Sequence, residues 1–196
     1  MELKKITDVY IIWKETKRQL VKESTLATYM TNAEKHILPA FGNCTKVEDS
    51  AAQAFAFGLL ERGLSPRTVK DIMLVLKMIV VFGYRKGWLE WHEWDIRLPK
   101  DDVHNELKIL THSEQKTMNF LGSHFSFRNL GLYICLCTGM RIGEICALKW
   151  CDIDLDTRMI SVNRTIERIY VVDGGQRATK VVIGRPKTAS SRREIP

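Results

Sequence analysis

The sequence lacks any long apolar run. No stretch of about 18 consecutive apolar residues occurs in it, and a helix that crosses a bilayer needs roughly that many. The apolar patch within residues 1–20 is too short and too charged for a signal peptide. We therefore expect a cytoplasmic protein with no membrane partner. Its 196 residues suffice for two small domains or one of medium size.

Cysteines are few, and none forms the C-x-x-C pairs that are typical of zinc sites. Apart from Cys44, all lie in one apolar stretch: Cys135, Cys137, Cys146 and Cys151. We interpret them as reduced core residues, and we expect no metal and no other cofactor. The alternative is a metal site that combines Cys135 and Cys137 with a distant histidine, such as His104 or His112.

The positive charge of the chain is concentrated in residues 158–193. This segment has nine lysines and arginines against two acidic residues, so it carries the whole net charge of +7. A dense group of cations binds a polyanion well, because each neutralised phosphate releases counterions. The segment therefore indicates a nucleic-acid partner, and the alternative is an ordinary solvated basic surface.

The first hundred residues predict four helices joined by short loops, which is typical of a helical bundle. The segments are 6–20, 26–38, 48–63 and 65–87. Ser24 and Thr25 precede the second segment, which Pro39 and Gly42 are expected to end. The fourth has the clearest boundaries, with Ser65 as the N-cap and Pro66 as the first helical residue.

The polar stretch of residues 98–110 predicts a linker between two domains, residues 1–97 and 111–196. Two further helices are expected after it. The segment 111–124 begins with a Thr-x-x-Glu capping pattern, and the segment 127–137 is apolar enough for a buried helix.

The pattern changes to β-branched residues after residue 158. The runs 159–172 and 179–184 predict two strands, and the Asp-Gly-Gly-Gln between them is typical of a hairpin turn. A short final strand is expected at 192–196. The fold class is therefore mainly α, with a small antiparallel β-sheet.

Two side chains stand out as candidates for phosphate chemistry. Arg141 and Glu144 are three residues apart, so the carboxylate can hold the guanidinium on one face of a helix. A guanidinium oriented in this way can donate two parallel hydrogen bonds to a phosphate. Lys187, in a loop between strand candidates, could donate a proton to a leaving oxygen. The alternatives are a surface ion pair and a solvated loop lysine.

Four sequence blocks resemble the tyrosine recombinases, the phage-integrase family of site-specific DNA recombinases. They are Thr-Gly-x-Arg-x-x-Glu at 138–144, Leu-x-Trp-x-Asp-Ile-Asp at 148–154, the Arg-Thr at 164–165, and Lys-Thr at 187–188 with Arg-x-Ile-Pro at 193–196. Upstream, residues 23–42 and 64–79 resemble the helical, SAM-like core-binding domain of that family. The resemblance therefore extends over nearly the whole chain.

The resemblance implies a role for each of these residues. Arg141 corresponds to an arginine that grips the scissile phosphate, Glu144 to the acidic residue that supports it, and Lys187 to the lysine thought to protonate the departing 5′ oxygen. It also implies a double-stranded DNA partner, strand exchange without metal or ATP, and assembly as tetramers on DNA. Residues 111–196 would then be the N-terminal part of a catalytic domain.

The sequence departs from the family pattern in two respects. It contains no His-x-x-Arg block and no tyrosine at a position that matches the family's nucleophile. We expect the chain to bind DNA without cleaving it. The alternatives are a non-catalytic protein that competes for recombination sites and a degraded integrase remnant.

Further DNA contacts are expected at two helix starts and in the basic segment. Hydroxyl and backbone N–H groups at a helix start are common phosphate ligands, and basic residues on the same helix add charge. The candidate residues are Thr25, Ser65, Arg67, Thr68, Lys70, Lys77, Arg164 and Arg192.

Overall fold

The structure is a computed structural model of the chain. It describes residues 2–100, 109–123, 127–173, 176–186 and 188–196. The chain divides into two compact units, residues 1–104 with 170–178, and residues 105–169 with 179–196. The first unit contains the N-terminal helices, and the second contains the remaining helices with most of the strand residues.

The N-terminal unit is helical, as the sequence predicts. Its elements are α1 (Ile6–Arg18), α2 (Glu23–Asn32), a π-helical turn (Ala33–Ile37), α3 (Leu38–Phe41), α4 (Asp49–Glu61) and α5 (Pro66–Arg85). Apolar residues recur at helical spacing, so each long helix can bury one face against the others. Trp13, Ile37, Leu59, Ile72 and Leu76 lie in the shared core, where each is at most 1% exposed.

Helix α5 begins and ends where the sequence predicts. The Ser65 hydroxyl accepts a hydrogen bond from the backbone N–H of Thr68 at 3.2 Å, and Pro66 is the first helical residue. Past the other end, Gly87 adopts a φ of 70°, which ends the helix at low steric cost. Among the described helices, none is both long and apolar enough to cross a membrane.

The second helix departs from the prediction at its start and at Pro39, although Gly42 follows its last residue as predicted. The helix already starts at Glu23, with Lys22 as the N-cap, so Thr25 lies inside its first turn. At the other end the helix continues past Pro39 to Phe41. The wider π-helical turn, in which the N–H of Leu38 donates to the carbonyl of Ala33, explains how a residue without an N–H is accommodated.

The remaining described elements are short helices and strands. They are α6 (His112–Ser123), α7 (Phe127–Thr138), α8 (Ile142–Ile145), β1 (Ile153–Asp154), β2 (Met159–Val162), β3 (Thr165–Asp173), β4 (Gln176–Gly184) and β5 (Arg193–Ile195). Residues 170–178, which include the end of β3 and the start of β4, belong to the first unit. The predicted cap of α6 is present, since the N–H of Thr111 donates to Oε2 of Glu114 at 2.7 Å.

The strands form two sheets rather than one. The first is antiparallel in the order β1-β2-β5, with Ile160 opposite both Ile153 and Ile195, and the second consists of β3 and β4. The strand predicted over 159–172 is interrupted at Asn163 and Arg164, where the Arg164 side chain pairs with Asp152. The glycines of the predicted hairpin turn, residues 174–175, lie outside the described residues.

The prediction that α7 is buried is wrong for its described side chains. Leu132, Tyr133 and Leu136 are each about two-fifths exposed. The cysteines are free thiols, but three of the five are exposed rather than core residues; the other two are half-buried, and of these Cys44 packs against the core of the helical unit. Apolar composition predicts the helix but does not reveal which neighbours cover it.

Candidate functional site: an arginine held by a buried carboxylate

The turn between α7 and α8 positions Arg141. Gly139 follows α7 with a φ of 64°, and its N–H donates to the carbonyl of Cys135 at 2.9 Å. Glycine adopts this left-handed conformation at little cost, whereas most side chains would be strained there. Met140 is then buried, and Arg141 becomes the N-cap residue of α8.

The single turn of α8 packs directly on the backbone at the start of β3. A Cβ atom added to Gly143 would lie 2.7 Å from both the carbonyl oxygen of Ile166 and the hydroxyl of Thr165. These distances are too short for any side chain. The glycine of the Arg-Ile-Gly-Glu sequence therefore allows a close approach that fixes where Glu144 lies.

Glu144 is buried and makes four hydrogen bonds. Its Oε2 accepts from the backbone N–H of Arg141 at 3.0 Å and from Nη2 of Arg193 at 2.9 Å. Its Oε1 accepts from Nη1 of Arg141 at 3.0 Å and from Nη1 of Arg193 at 3.3 Å. Each carboxylate oxygen thus receives one hydrogen bond from each arginine.

This arrangement favours the ionised form of Glu144. The hydrogen bond from Arg193 is the largest cause, and those from Arg141 add to it. Burial acts in the opposite direction, yet the pKa falls from its ordinary 4.5 to about 2. The pKa of Arg193 is raised in turn, mainly by its hydrogen bond to Glu144. The cluster therefore holds one negative and two positive charges at neutral pH.

Arg141 is oriented but open to solvent. The side chain of Glu144 is 3% exposed, whereas that of Arg141 is 72% exposed. The contact that the three-residue spacing predicts is therefore present. A guanidinium carries five N–H donors, and among the described contacts Arg141 uses one of them, which leaves others for a ligand. Chemically, the site offers a fixed cation with parallel donors, which suits a phosphate.

Arg193 is a member of this site that the sequence reasoning missed. It comes from β5, opposite Val162 of β2, and lies 49 residues from Glu144 along the chain. Only the Arg-x-Ile-Pro block hinted at its importance, and nothing in the spacing indicated its partner. Arg192, the neighbouring candidate, is exposed.

A second buried carboxylate holds Arg164. Asp152 accepts hydrogen bonds from the backbone N–H of Lys149 at 2.9 Å and from the guanidinium of Arg164. Burial alone raises the pKa of Asp152, but these hydrogen bonds more than offset it, and the net pKa is lowered. Arg164, a predicted DNA contact, therefore already has an internal partner.

Four candidate residues lie together at the start of α5. Arg67 and Lys70 are exposed and line an open groove of about 670 Å³ with Ile96 and Leu98. Ser65 and Thr68 are exposed as well, and their hydroxyls are 2.9 Å apart. This end of the helix thus presents two cations and two hydroxyl groups to solvent.

The remaining candidate site residues are less exposed, already paired with another side chain, or outside the described residues. Thr25 is half-buried in α2. The ammonium of Lys77 lies 3.7 Å from Oε1 of Glu93 and 5.8 Å from the ring centre of Trp91. Lys187 falls outside the described residues, as does His104. In the part of the chain that is described, no group of three or more His, Cys, Asp or Glu side chains could hold a metal.

Two family profiles match the chain. The phage integrase N-terminal SAM-like domain matches residues 1–45, and the phage integrase family matches residues 102–185. Both matches agree with a helical unit followed by the unit that holds Arg141 and Glu144. The fold and the site therefore define the protein class of the integrases. The chain belongs to the phage integrase family of tyrosine recombinases.

Relatives of known name agree with this assignment. A "Tyrosine recombinase XerC-like" protein of Caldanaerobacter subterraneus subsp. tengcongensis is 27% identical over 145 residues, covering 70% of this chain and 37% of the relative. The Tn1549 transposon integrase, solved in complex with transposon right end DNA, superposes with a TM-score of 0.70 at 23% identity, covering 98% of this chain and 61% of that one. Its complex with a circular intermediate DNA gives 0.69 at 25% identity, covering 98% and 60%.

These comparisons confirm the predicted fold class, a helical core-binding domain followed by part of a catalytic domain. The chain spans 37% of the length of the curated relative and about three-fifths of the solved integrase.

Proposed function

We propose that this chain binds double-stranded DNA as part of a site-specific recombination system and holds the scissile phosphate with Arg141. The observation that carries the proposal is the contrast between Arg141, which is 72% exposed, and the buried Glu144 that orients it. Negative charge builds up on the non-bridging oxygens during phosphoryl transfer, and a preorganised cation stabilises it. The solved integrase with this fold was itself obtained in complex with DNA.

The basic segment and the start of α5 support the same proposal. The segment 158–193 carries a net charge of +7, and Arg67 and Lys70 line a solvent-open groove on the helical unit. We propose that both contact phosphates, with Ser65, Thr68, Lys77 and Arg192 as further candidates. We propose a cytoplasmic location, which is consistent with this role.

The chemistry of strand cleavage requires more than Arg141. We propose Lys187 as the residue that protonates the departing 5′ oxygen, in line with the family pattern. The 196 residues contain no His-x-x-Arg sequence. None of the tyrosines matches the family's nucleophile, and Tyr10 is buried with its hydroxyl bonded to Glu34. We therefore propose that these residues bind DNA without forming a covalent phosphotyrosine.

The decisive experiment measures the affinity for duplex DNA as a function of salt. Affinity should fall steeply between about 50 and 200 mM salt, because several phosphates are neutralised. Arg141→Ala should weaken binding, and Lys116→Ala, which removes an exposed cation from α6, should have a smaller effect. Salt-independent binding, or an equal effect of the two variants, would contradict the proposal.

A paired substitution tests the helical unit separately. Arg67→Gln with Lys70→Gln removes both cations at the start of α5, and Lys86→Gln removes one just beyond its other end, roughly 30 Å away. We expect the double variant to lower both the affinity and its salt dependence, with a drop in the logarithmic slope of up to about 2. Equal binding by both proteins would exclude this groove from the interface.

The alternative, a protein that competes for recombination sites, predicts the same binding to DNA. It is tested by adding the chain to an active recombinase that uses the same site. A competitor should lower strand exchange in proportion to the fraction of sites that it occupies. A covalent protein–DNA adduct formed by this chain alone would overturn the claim that it does not cleave.

A further inference from the structure

We propose that Arg193 is a positioning residue for Arg141 and that it acts through Glu144. The inference rests on the proposed role of Arg141 as the phosphate ligand. It concerns a residue 49 positions beyond Glu144, on an edge strand of the three-stranded sheet, which makes no direct hydrogen bond to Arg141 among the described contacts.

The first step is the geometry of the carboxylate. Nη1 and Nη2 of Arg193 donate to Oε1 and Oε2 of Glu144 at 3.3 and 2.9 Å. A two-bond contact of this kind fixes the plane of a carboxylate, and it adds to the two hydrogen bonds that Arg141 donates from its backbone and its side chain. With the plane fixed, Oε1 is aimed at Nη1 of Arg141, 3.0 Å away.

The second step is that Arg193 is itself held in place. Its backbone pairs with Val162 in the register of β2 and β5, and its Nη1 also donates to the carbonyl of Ser191 at 3.2 Å. Its side chain is 31% exposed, less than half the exposure of Arg141. The sheet thus serves as the rigid support from which the carboxylate is oriented.

The third step is charge. Glu144 paired with Arg141 alone would be a neutral group with little attraction for a phosphate. The second guanidinium gives the cluster of three side chains a net charge of +1. Arg141 is the more exposed of the two cations, so a phosphate from solution meets the net positive charge of the cluster at Arg141. Arg193 therefore both orients the ligand and preserves its attraction for anions.

The test is a double-mutant cycle on duplex-DNA affinity, with Arg193→Gln and Arg141→Ala made singly and together. We expect Arg193→Gln to weaken binding about tenfold in the presence of Arg141, with Arg193→Lys intermediate, and to have almost no effect when Arg141 is already alanine. Arg192→Gln, which removes the adjacent exposed charge, is the matched control. Its effect should be the same in both backgrounds.

A second readout separates positioning from support of the fold. The Nε–Hε order parameter of Arg141, measured by NMR without DNA, should fall in Arg193→Gln and recover partly in Arg193→Lys, while near-UV circular dichroism stays native. An equal loss of affinity in both Arg141 backgrounds, or an unchanged order parameter, would overturn the inference. If Arg193→Gln does not fold, Arg193→Lys carries both measurements.

Different results would overturn the phosphate-ligand role of Arg141 and the positioning role of Arg193. Unchanged affinity in Arg141→Ala would overturn the phosphate-ligand role and, with it, the inference built on that role. Weaker binding in Arg141→Ala, together with unchanged binding in Arg193→Gln, would overturn the positioning role alone.

Discussion

Nη2 of Arg193 lies 2.9 Å from Oε2 of Glu144, although the two residues are 49 positions apart. The contact joins the end of the described chain to the single turn of α8. It makes Glu144 the common partner of two arginines, one half-buried and one exposed. The ionisation of this one carboxylate should therefore affect the stability of the second unit.

We expect Glu144→Gln to change how stability depends on pH. The folded-state pKa lies below its ordinary value, so ionised Glu144 stabilises the fold. That contribution is complete above pH 4.5 and is lost as the pH falls to about 2. The difference in unfolding free energy between the wild type and the variant should be greatest above pH 4.5 and should shrink towards pH 2.

Urea denaturation at a series of pH values measures this difference. Glu194→Gln removes an exposed carboxylate from the same strand as Arg193 and controls for net charge. A difference that stayed constant from about pH 6 to pH 2 would show that the ionisation of Glu144 is not linked to folding.

Gly143→Ala should destabilise the second unit by about 1–3 kcal/mol, because the new methyl group would overlap the Ile166 carbonyl and the Thr165 hydroxyl. Gly131→Ala in α7 is the matched control. Among the described residues its methyl group would meet Ile145 alone, at 3.8 Å, so a gain of up to about 1 kcal/mol is expected. Thermal unfolding of both variants distinguishes close packing from helix propensity, and equal stabilities would refute the packing argument.

Ser65→Ala should cost about 1 kcal/mol, because the N–H of Thr68 loses the hydroxyl that accepts its hydrogen bond. Ser65→Asp keeps a capping oxygen and should preserve stability. The same variant places a negative charge at the proposed DNA surface, so its affinity for duplex DNA should fall. Normal binding by Ser65→Asp would remove this helix start from the interface.

Arg164→Ala should lower the Tm by roughly 5 °C, because the buried carboxylate of Asp152 loses its guanidinium partner. Arg168→Ala, an exposed position on β3, should leave the Tm nearly unchanged. If Arg164→Ala instead retained full stability and lost only DNA affinity, Arg164 would be an interface residue rather than a structural one.

Much of the helical unit could be predicted from sequence because its determinants are local. The Ser65 cap, Pro66 at the first position and Gly87 after the last turn give α5 correctly. Pro39 misled the prediction because a π-helical turn, which no short pattern announces, carries the helix through it. The single predicted sheet became two, because the strand predicted over 159–172 is interrupted at Asn163 and Arg164.

The family, the helical elements and the Arg141–Glu144 pair could be predicted from the sequence, because residues three apart at a helix start are neighbours. The burial of Glu144, the exposure of Arg141 and the contact with Arg193 are properties of the folded chain alone. The physical reason is that burial and the Arg193 contact depend on the packing of β5 against β2 and of α8 on β3, over separations in the chain that local patterns do not encode.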